Sequence, residues 1–215
     1  AHESGHMWWG SCVLSKDDAM IDEGFSQLNV VLNIRHFLGE KAMWNFIKNG
    51  PPEYPQSARL YFKFFGNGLN DVPIGVYDED KKSELNGLAY TKAFIVYAML
   101  MEEVGYKTFM RGIRRIVDEF GNRYFDLTAF REIMEDESQQ DLAVFFDQWF
   151  QRTGAPEFDF QYTVSPRGDA FSVTGSITQL RELYSVNAEV ALEFEDTRQI
   201  ERVEITEKTT EFTFW

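Results

Sequence analysis

The first residues of the chain combine two histidines and a glutamate in a spacing that suits a catalytic metal ion. His2, Glu3 and His6 form the pattern H-E-x-x-H over residues 2–6. On a helix, residues four apart share one face, so both imidazoles can bind a single tetrahedral zinc ion. Glu3 then lies beside the metal, where its carboxylate can take a proton from an attacking water and pass it to a leaving amine. The pattern also occurs on helices that merely carry two surface histidines, so a third ligand is needed to decide.

A catalytic zinc site has three protein ligands and one open position. Glu23 can supply the third ligand, since the sixteen residues between it and His6 allow one helix to end, a loop at residues 11–16 to turn, and a second helix to return past the metal. Gly24, next to it, lets backbone or substrate approach closely. The alternative is that Glu23, like most single glutamates, is a solvated carboxylate on a helix. From the spacing and the need for a third ligand, we predict one Zn²⁺ per chain, bound by His2, His6 and Glu23.

The elements that must position these residues are helices over about the first 155 residues. Apolar residues recur there at intervals of three and four, in stretches separated by Gly, Pro and Asn. The predicted helices cover residues 1–10, 17–37, a segment around Trp44 and Phe46, 58–65, 88–104, 107–119, a segment capped by Asp126, and 141–152. Ser15 and Asp18 form a capping box for the second of them. Most of residues 50–84 is predicted to be loop because four prolines lie there.

The pattern changes to a period of two after Phe158. Apolar and aromatic residues alternate with polar ones over residues 158–164 and 186–194, and again near 171–173 and 212–214. This alternation is typical of half-buried strands, and it predicts about five of them with turns at Gly168 and Asp196. The tail is therefore expected to be a small antiparallel β unit.

Composition excludes several classes of function. The chain has 215 residues, of which 44% are hydrophobic, and its 35 acidic and 21 basic residues give a net charge of -14. Such a charge repels nucleic acid and anionic membrane surfaces, so neither is an expected partner. The single cysteine, Cys12, excludes an intrachain disulfide and is interpreted as a packing residue. His36 is interpreted as an ordinary histidine and not as a further metal ligand.

The motifs together resemble the aminopeptidase N family of gluzincin zinc metallopeptidases, which includes leukotriene hydrolase relatives. Members carry H-E-x-x-H, then W-x-G, then N-E-G-F-A, and residues 2–6, 8–10 and 22–26 match in that order. Residues 90–93 (YTKA) resemble the family motif Y-E-K-G. Residues 141–156 resemble its passage L-x-x-F-F-x-x-W followed by T-G-x-P.

This resemblance implies a fold and a mechanism. It implies an α+β protein, with a helical thermolysin-like catalytic subdomain at residues 1–155 and a small antiparallel β-sandwich-like domain at 156–215. It also implies that Tyr90 stabilises the oxyanion of the tetrahedral intermediate, a role for which a phenol donor is suited. Without the resemblance, Tyr90 would be taken for a packed aromatic. The implied activity is zinc-dependent removal of N-terminal residues from peptide substrates.

The sequence departs from the family pattern at several places. The spacer before Glu23 is about two residues shorter than usual, and we expect the loss to fall in the turn. Gly5 costs about 1 kcal/mol in a helix interior, and Ala93 replaces the glycine of Y-E-K-G.

The motif G-x-M-E-N, which recognises a free amino terminus in the family, is absent from these residues. We expect it in an upstream portion of the same protein, of which this chain would be a fragment that by itself can be inactive. The alternative function is a catalytically silent or incomplete member that acts as an interaction or structural module. The sequence does not indicate a cellular compartment.

Overall fold

The computed structural model describes residues 1–15, 19–50, 57–76, 79–168, 170–194 and 197–215. The chain divides into two compact units, Ala1–Gly154 and Ala155–Trp215. The first unit is helical and the second consists of antiparallel sheets, so the fold class is α+β as predicted. Within the described residues, no helix is both long enough and apolar enough to span a bilayer.

α-Helices are the main elements of the helical unit. They are α1 (His2–Gly5), α2 (Phe25–Leu38), α3 (Glu40–Asn49), α4 (Ala58–Phe64), α5 (Lys82–Leu88), α6 (Phe94–Val104), α7 (Tyr106–Phe120), α8 (Leu127–Ser138) and α9 (Ala143–Phe146). Wide π-helical turns precede α2, α6 and the end of the unit, at Met20–Gly24, Ala89–Ala93 and Asp147–Gln151, and a 3₁₀ turn lies at Glu79–Lys81.

Side chains cap the first turns of two of the described helices, α4 and α8. The Asp126 carboxylate accepts a hydrogen bond from the Ala129 amide at 2.8 Å, which confirms the predicted cap of α8. Ser57 caps α4 in the same way, through the Leu60 amide. The predicted capping box of Ser15 and Asp18 lies partly outside the described residues, and the Ser15 hydroxyl instead donates to Asp22 Oδ1 at 2.7 Å.

The first helix is shorter than predicted. Residues 2–5 form α1, whereas the pattern indicated a helix to about Gly10. The amides of Trp8 and Trp9 both bond to the Gly5 carbonyl, so the chain tightens into turns directly after α1. Gly10 then adopts a φ of +89°, and Trp9 forms a parallel bridge with Val13. The prediction failed because these local turns replace the helical hydrogen bonds while the apolar spacing continues.

Two other helix boundaries differ from the prediction. The helix expected from Leu88 belongs to a run that begins at Lys82 and continues through the wide turn Ala89–Ala93 into α6. The helix expected over residues 141–152 begins at Ala143, after which a wide turn extends to Gln151. Apolar spacing does not register such turns, because one extra residue in a turn shifts the period only locally.

Stacked aromatic side chains form the centre of the helical core. Phe25, which is fully buried, stacks on Trp9 at 4.5 Å and on Tyr97 at 4.4 Å between ring centroids, and it meets Phe130 edge-on at 5.2 Å. Each such pair contributes about 0.5–1.5 kcal/mol beyond area burial. The contact between Trp9 and Phe25 holds the segment after α1 against the start of α2.

The second unit contains two antiparallel sheets. The strands are β1 (Phe158–Arg167), β2 (Ala170–Gln179), β3 (Val186–Glu193), β4 (Arg198–Ile205) and β5 (Thr209–Phe214). One sheet has the order β1-β2-β5 and the other pairs β3 with β4. Side chains from both sheets share a small buried core of Ile177, Val203, Ile205 and Phe212. Gly168 makes the predicted turn with a φ of +62°; Asp196 lies outside the described residues.

Candidate metal centre

Three side-chain atoms of the predicted metal ligands converge on one point. His2 Nε2 and His6 Nε2 are 3.2 Å apart, and they lie 3.2 Å and 3.4 Å from Glu23 Oε2. The three side chains are 21%, 30% and 27% exposed, so the group is partly accessible to solvent. Within the residues that the structure describes, this is the group of His, Cys, Asp and Glu side chains that could hold a metal ion.

The spacing of these atoms fits zinc. In a tetrahedral site with ligand atoms about 2.0–2.2 Å from Zn²⁺, neighbouring ligand atoms lie about 3.3–3.6 Å apart. The three observed distances, 3.2–3.4 Å, are close to that range. Two imidazoles and one carboxylate are also the donor types that a catalytic zinc takes when it keeps an open fourth position. The residues present therefore fit the ion.

A close contact between α1 and α2 brings the histidines to Glu23. A Cβ atom at Gly5 would lie 2.8 Å from Ser26 Cα and 3.0 Å from Ser26 Oγ, so a larger residue would push the two helices apart. Asn29 further along α2 donates to the Ala1 carbonyl at 2.8 Å. The departure from the family pattern at Gly5 is thus explained, since a glycine there allows the short distance between the two elements that carry the predicted ligands.

The wide turn Met20–Gly24 carries Glu23 and packs against the wide turn Ala89–Ala93. A Cβ atom at Gly24 would meet the Ala93 Cβ at 2.9 Å. The Tyr97 hydroxyl donates to the Met20 carbonyl at 2.8 Å, which anchors the first residue of the turn. Wide turns of this kind are rare and often occur at functional sites. The shorter spacer before Glu23 does not rotate its side chain away from the histidines.

Tyr90 lies on the opposing wide turn, and its hydroxyl donates a hydrogen bond to Glu23 Oε2. Its ring centroid is 5.6 Å from that of His2. Burial raises the pKa of the Tyr90 hydroxyl well above its ordinary value, and the hydrogen bond to Glu23 and the charges of Glu23 and Glu3 raise it further. The hydroxyl therefore keeps its proton at neutral pH, and in this structure it donates that proton to Glu23 Oε2.

Glu3 occupies the first turn of α1, on an exposed position between the two histidines in sequence. Its charge contributes to the raised pKa of the Tyr90 hydroxyl. The structure thus brings together His2, His6, Glu23 and Tyr90 among the predicted site residues. It does not bring Cys12 or His36 into this group; Cys12 is a half-buried free thiol and His36 is exposed near the end of α2.

The two imidazoles differ in what their second nitrogen contacts. His6 Nδ1 lies 3.1 Å from Ser26 Oγ and 3.3 Å from the Trp9 carbonyl oxygen. His2 Nδ1 is buried and meets no hydrogen-bond partner within the described residues. Sequence reasoning missed Ser26, whose one signal is its position three residues after Glu23, on the same face of the helical segment.

A second polar cluster, which we call the Asp71 cluster, lies in the interior of the same unit. Asp71 Oδ2 accepts from Lys92 Nζ at 2.9 Å, from the Tyr61 hydroxyl at 2.8 Å and from the Gly154 amide at 2.7 Å. Lys92 Nζ also donates to the Arg152 carbonyl at 3.1 Å. Burial lowers the pKa of Lys92 more than the charge of Asp71 raises it. The sequence offered one signal, a lysine within an otherwise apolar helical stretch.

Comparison with known proteins agrees with the geometry. A model of the peptidase family M1 domain matches residues 1–149. Probable M1 family aminopeptidase 1 of Encephalitozoon cuniculi is 26% identical over 176 residues, which covers 74% of this chain and 18% of that protein. Aminopeptidase N of Lactococcus lactis subsp. lactis is 23% identical over 163 residues, with 73% and 18% covered. The chain therefore spans about a fifth of the length of these curated relatives.

A solved structure shares the fold. The crystal structure of Legionella pneumophila aminopeptidase A in complex with aspartic acid matches with a TM-score of 0.69 and 16% identity, covering 99% of this chain and 23% of that one. At this identity the likeness shows the fold alone. Since the family model extends over 149 of 215 residues, the chain belongs to peptidase family M1.

Proposed function

We propose that this chain carries the catalytic centre of a zinc-dependent aminopeptidase. The observation that carries the proposal is the convergence of His2 Nε2, His6 Nε2 and Glu23 Oε2 at mutual distances of 3.2–3.4 Å. The names of the matched relatives, which include aminopeptidase N, support removal of N-terminal residues over internal cleavage.

Each residue has a distinct role in the proposed reaction. Zn²⁺, when bound, acts as a Lewis acid toward water and a substrate carbonyl. His2, His6 and Glu23 hold the ion. Glu3 takes the proton of the attacking water and passes it to the leaving amine. Tyr90 donates a hydrogen bond to the carbonyl oxygen as negative charge develops there, which is the step at which a fixed donor lowers the barrier most.

The hydrogen bond from Tyr90 to Glu23 supports this assignment. It places a protonated hydroxyl directly beside a metal-ligand oxygen, so a carbonyl oxygen that approaches the ion also approaches the donor. The three side chains that would hold the ion are between 21% and 30% exposed, so solvent reaches the site.

Two measurements test the proposal. Elemental analysis of the purified protein should find about one zinc per chain. A fluorogenic aminoacyl amide should be hydrolysed, and the same compound with an acetylated amine should not. Hydrolysis of both would indicate an endopeptidase. Zinc without hydrolysis of either would favour a catalytically silent or incomplete member, and protein that takes up no zinc would refute the proposal.

A further inference from the structure

We propose that Ser26 is a positioning residue, which holds the His6 imidazole in the orientation that binds metal. The inference rests on the proposed zinc site and adds to it a residue outside the predicted ligand set. Residues 22–26 resemble the motif N-E-G-F-A, and Ser26 occupies the position of its alanine.

The geometry of His6 assigns the proton. A neutral imidazole has one N–H and one nitrogen lone pair, and the lone pair binds the metal. His6 Nε2 faces His2 Nε2 at 3.2 Å and Glu23 Oε2 at 3.4 Å, which is the side on which the ion binds. Nδ1 must then carry the hydrogen, and it faces two acceptors: Ser26 Oγ at 3.1 Å and the Trp9 carbonyl oxygen at 3.3 Å.

Ser26 does more than accept this hydrogen, because it joins two ligands that come from different elements. His6 follows α1, whereas Ser26 lies in α2, three residues after Glu23. The hydrogen bond therefore fixes the His6 ring relative to the helix that carries the third ligand. The contact is close and buried. Ser26 is fully buried, and the Ser26 backbone can approach α1 only because Gly5 has no Cβ.

His2 provides the contrast within the same site. Its Nδ1 is buried without a partner among the described residues, so no side chain there holds its ring as Ser26 holds that of His6. Hydrogen-bond partners of metal-bound histidines typically change metal affinity by about 10- to 100-fold when they are removed. Ser26 should therefore have a measurable effect on zinc affinity through His6.

The first test is zinc affinity, measured by competition with a chromophoric chelator. Ser26→Ala should weaken Zn²⁺ binding about 10- to 100-fold, while Ser26→Thr, which keeps the hydroxyl, should stay much closer to wild type. Ser57→Ala is the matched control, since Ser57 is another fully buried serine of the helical unit and caps α4 away from the metal ligands. That variant should lose stability and keep its zinc affinity.

The second test reads the His6 ring directly and does not depend on the threonine variant folding. Long-range ¹H–¹⁵N NMR of the zinc-loaded protein should show a hydrogen on His6 Nδ1 that exchanges slowly with water. In Ser26→Ala this hydrogen keeps only the Trp9 carbonyl oxygen as an acceptor, at 3.3 Å, so its exchange with water should become faster. An unchanged affinity or an unchanged exchange rate in Ser26→Ala overturns the role of Ser26 alone. A wild-type protein that binds no zinc overturns the proposed function and this inference together.

Discussion

Glu23 and Asp71 are two carboxylates of the helical unit that each accept a hydrogen bond from a tyrosine, but they differ in exposure and in their other partners. Glu23 is 27% exposed and faces two imidazoles together with Tyr90. Asp71 is fully buried and faces Lys92, Tyr61 and a backbone amide. The first carboxylate is partly exposed to solvent, and the second is buried in the interior of the unit.

The difference concerns where the positive charge comes from. The Asp71 cluster contains its own cation, because Lys92 forms an ion pair with Asp71. Donors of the chain itself therefore occupy the Asp71 Oδ2 oxygen. Around Glu23, within the described part of the chain, the nearest basic groups are imidazole nitrogens, which offer lone pairs when neutral. A carboxylate paired with lysine stabilises a fold, whereas one grouped with two imidazoles is suited to an external cation.

The largest effect is expected from a change at Glu3, which has no counterpart in the Asp71 cluster. Glu3→Gln keeps the size of the side chain and removes its ability to take a proton, so turnover of an aminoacyl substrate by the active protein should fall about 10²- to 10⁴-fold. Zinc content, measured in parallel, should be unchanged. Activity within about tenfold of wild type would contradict the role of Glu3 as general base.

Replacing Lys92, the buried cation of the Asp71 cluster, should lower the free energy of unfolding and leave the metal site unchanged. Lys92→Met leaves the buried Asp71 carboxylate without its partner, which typically costs about 3–5 kcal/mol. The free energy of unfolding, from urea titration, should fall by that amount, while the folded protein keeps its zinc affinity. The matched variant Glu23→Ala should do the reverse, losing zinc with a smaller change in stability. Equal effects of both variants on zinc affinity would contradict the distinction between the clusters.

The two tyrosines offer the same one-atom change in each cluster. Tyr90→Phe should lower kcat by roughly 10²- to 10³-fold with little change in KM, because the lost donor acts mainly on the developing oxyanion. Tyr61→Phe should leave kcat unchanged and lower the free energy of unfolding by about 1.5–3 kcal/mol, as expected for a hydrogen bond to a charged group. A Tyr90→Phe variant with wild-type kcat would return Tyr90 to a packing role.

The smallest effect concerns the contact between the two wide turns. Gly24→Ala places a methyl group 2.9 Å from the Ala93 Cβ, which is shorter than a van der Waals contact between two carbons. Overpacking of this kind costs about 1–3 kcal/mol. Adding Ala93→Gly should recover part of that loss, and unfolding of the two single variants and the double variant measures the coupling. Strictly additive losses would show that the turns do not share this space.

The sequence predicted the parts of this molecule that depend on short spacings. His2 and His6 are one helical turn apart, and the motifs around Glu23 and Tyr90 identified the side chains that the fold then brings together. The α+β division followed from the change of apolar period near Phe158.

Features that depend on distant contacts or on local backbone geometry were not predictable. Asp71 meets Lys92 across 21 residues of sequence, from a segment with no regular period. Ser26 lies 20 residues from His6, and its one sequence signal, the position three residues after Glu23, does not identify it as a partner of that ring. The wide turns and the early end of α1 arise from hydrogen bonds made by individual carbonyls, such as that of Gly5, which leave the spacing of apolar residues unchanged.

The wide turn Ala89–Ala93 belongs to both clusters, and this has a consequence for inactivation by heat. Tyr90 extends from this turn toward Glu23, and Lys92, two residues on, extends toward Asp71. The turn can drift only if a buried ammonium and a buried carboxylate separate, which opens the interior of the unit. Local melting that inactivates the site ahead of the fold is therefore disfavoured. Loss of Tyr90 alignment and loss of helical signal should occur over one temperature interval.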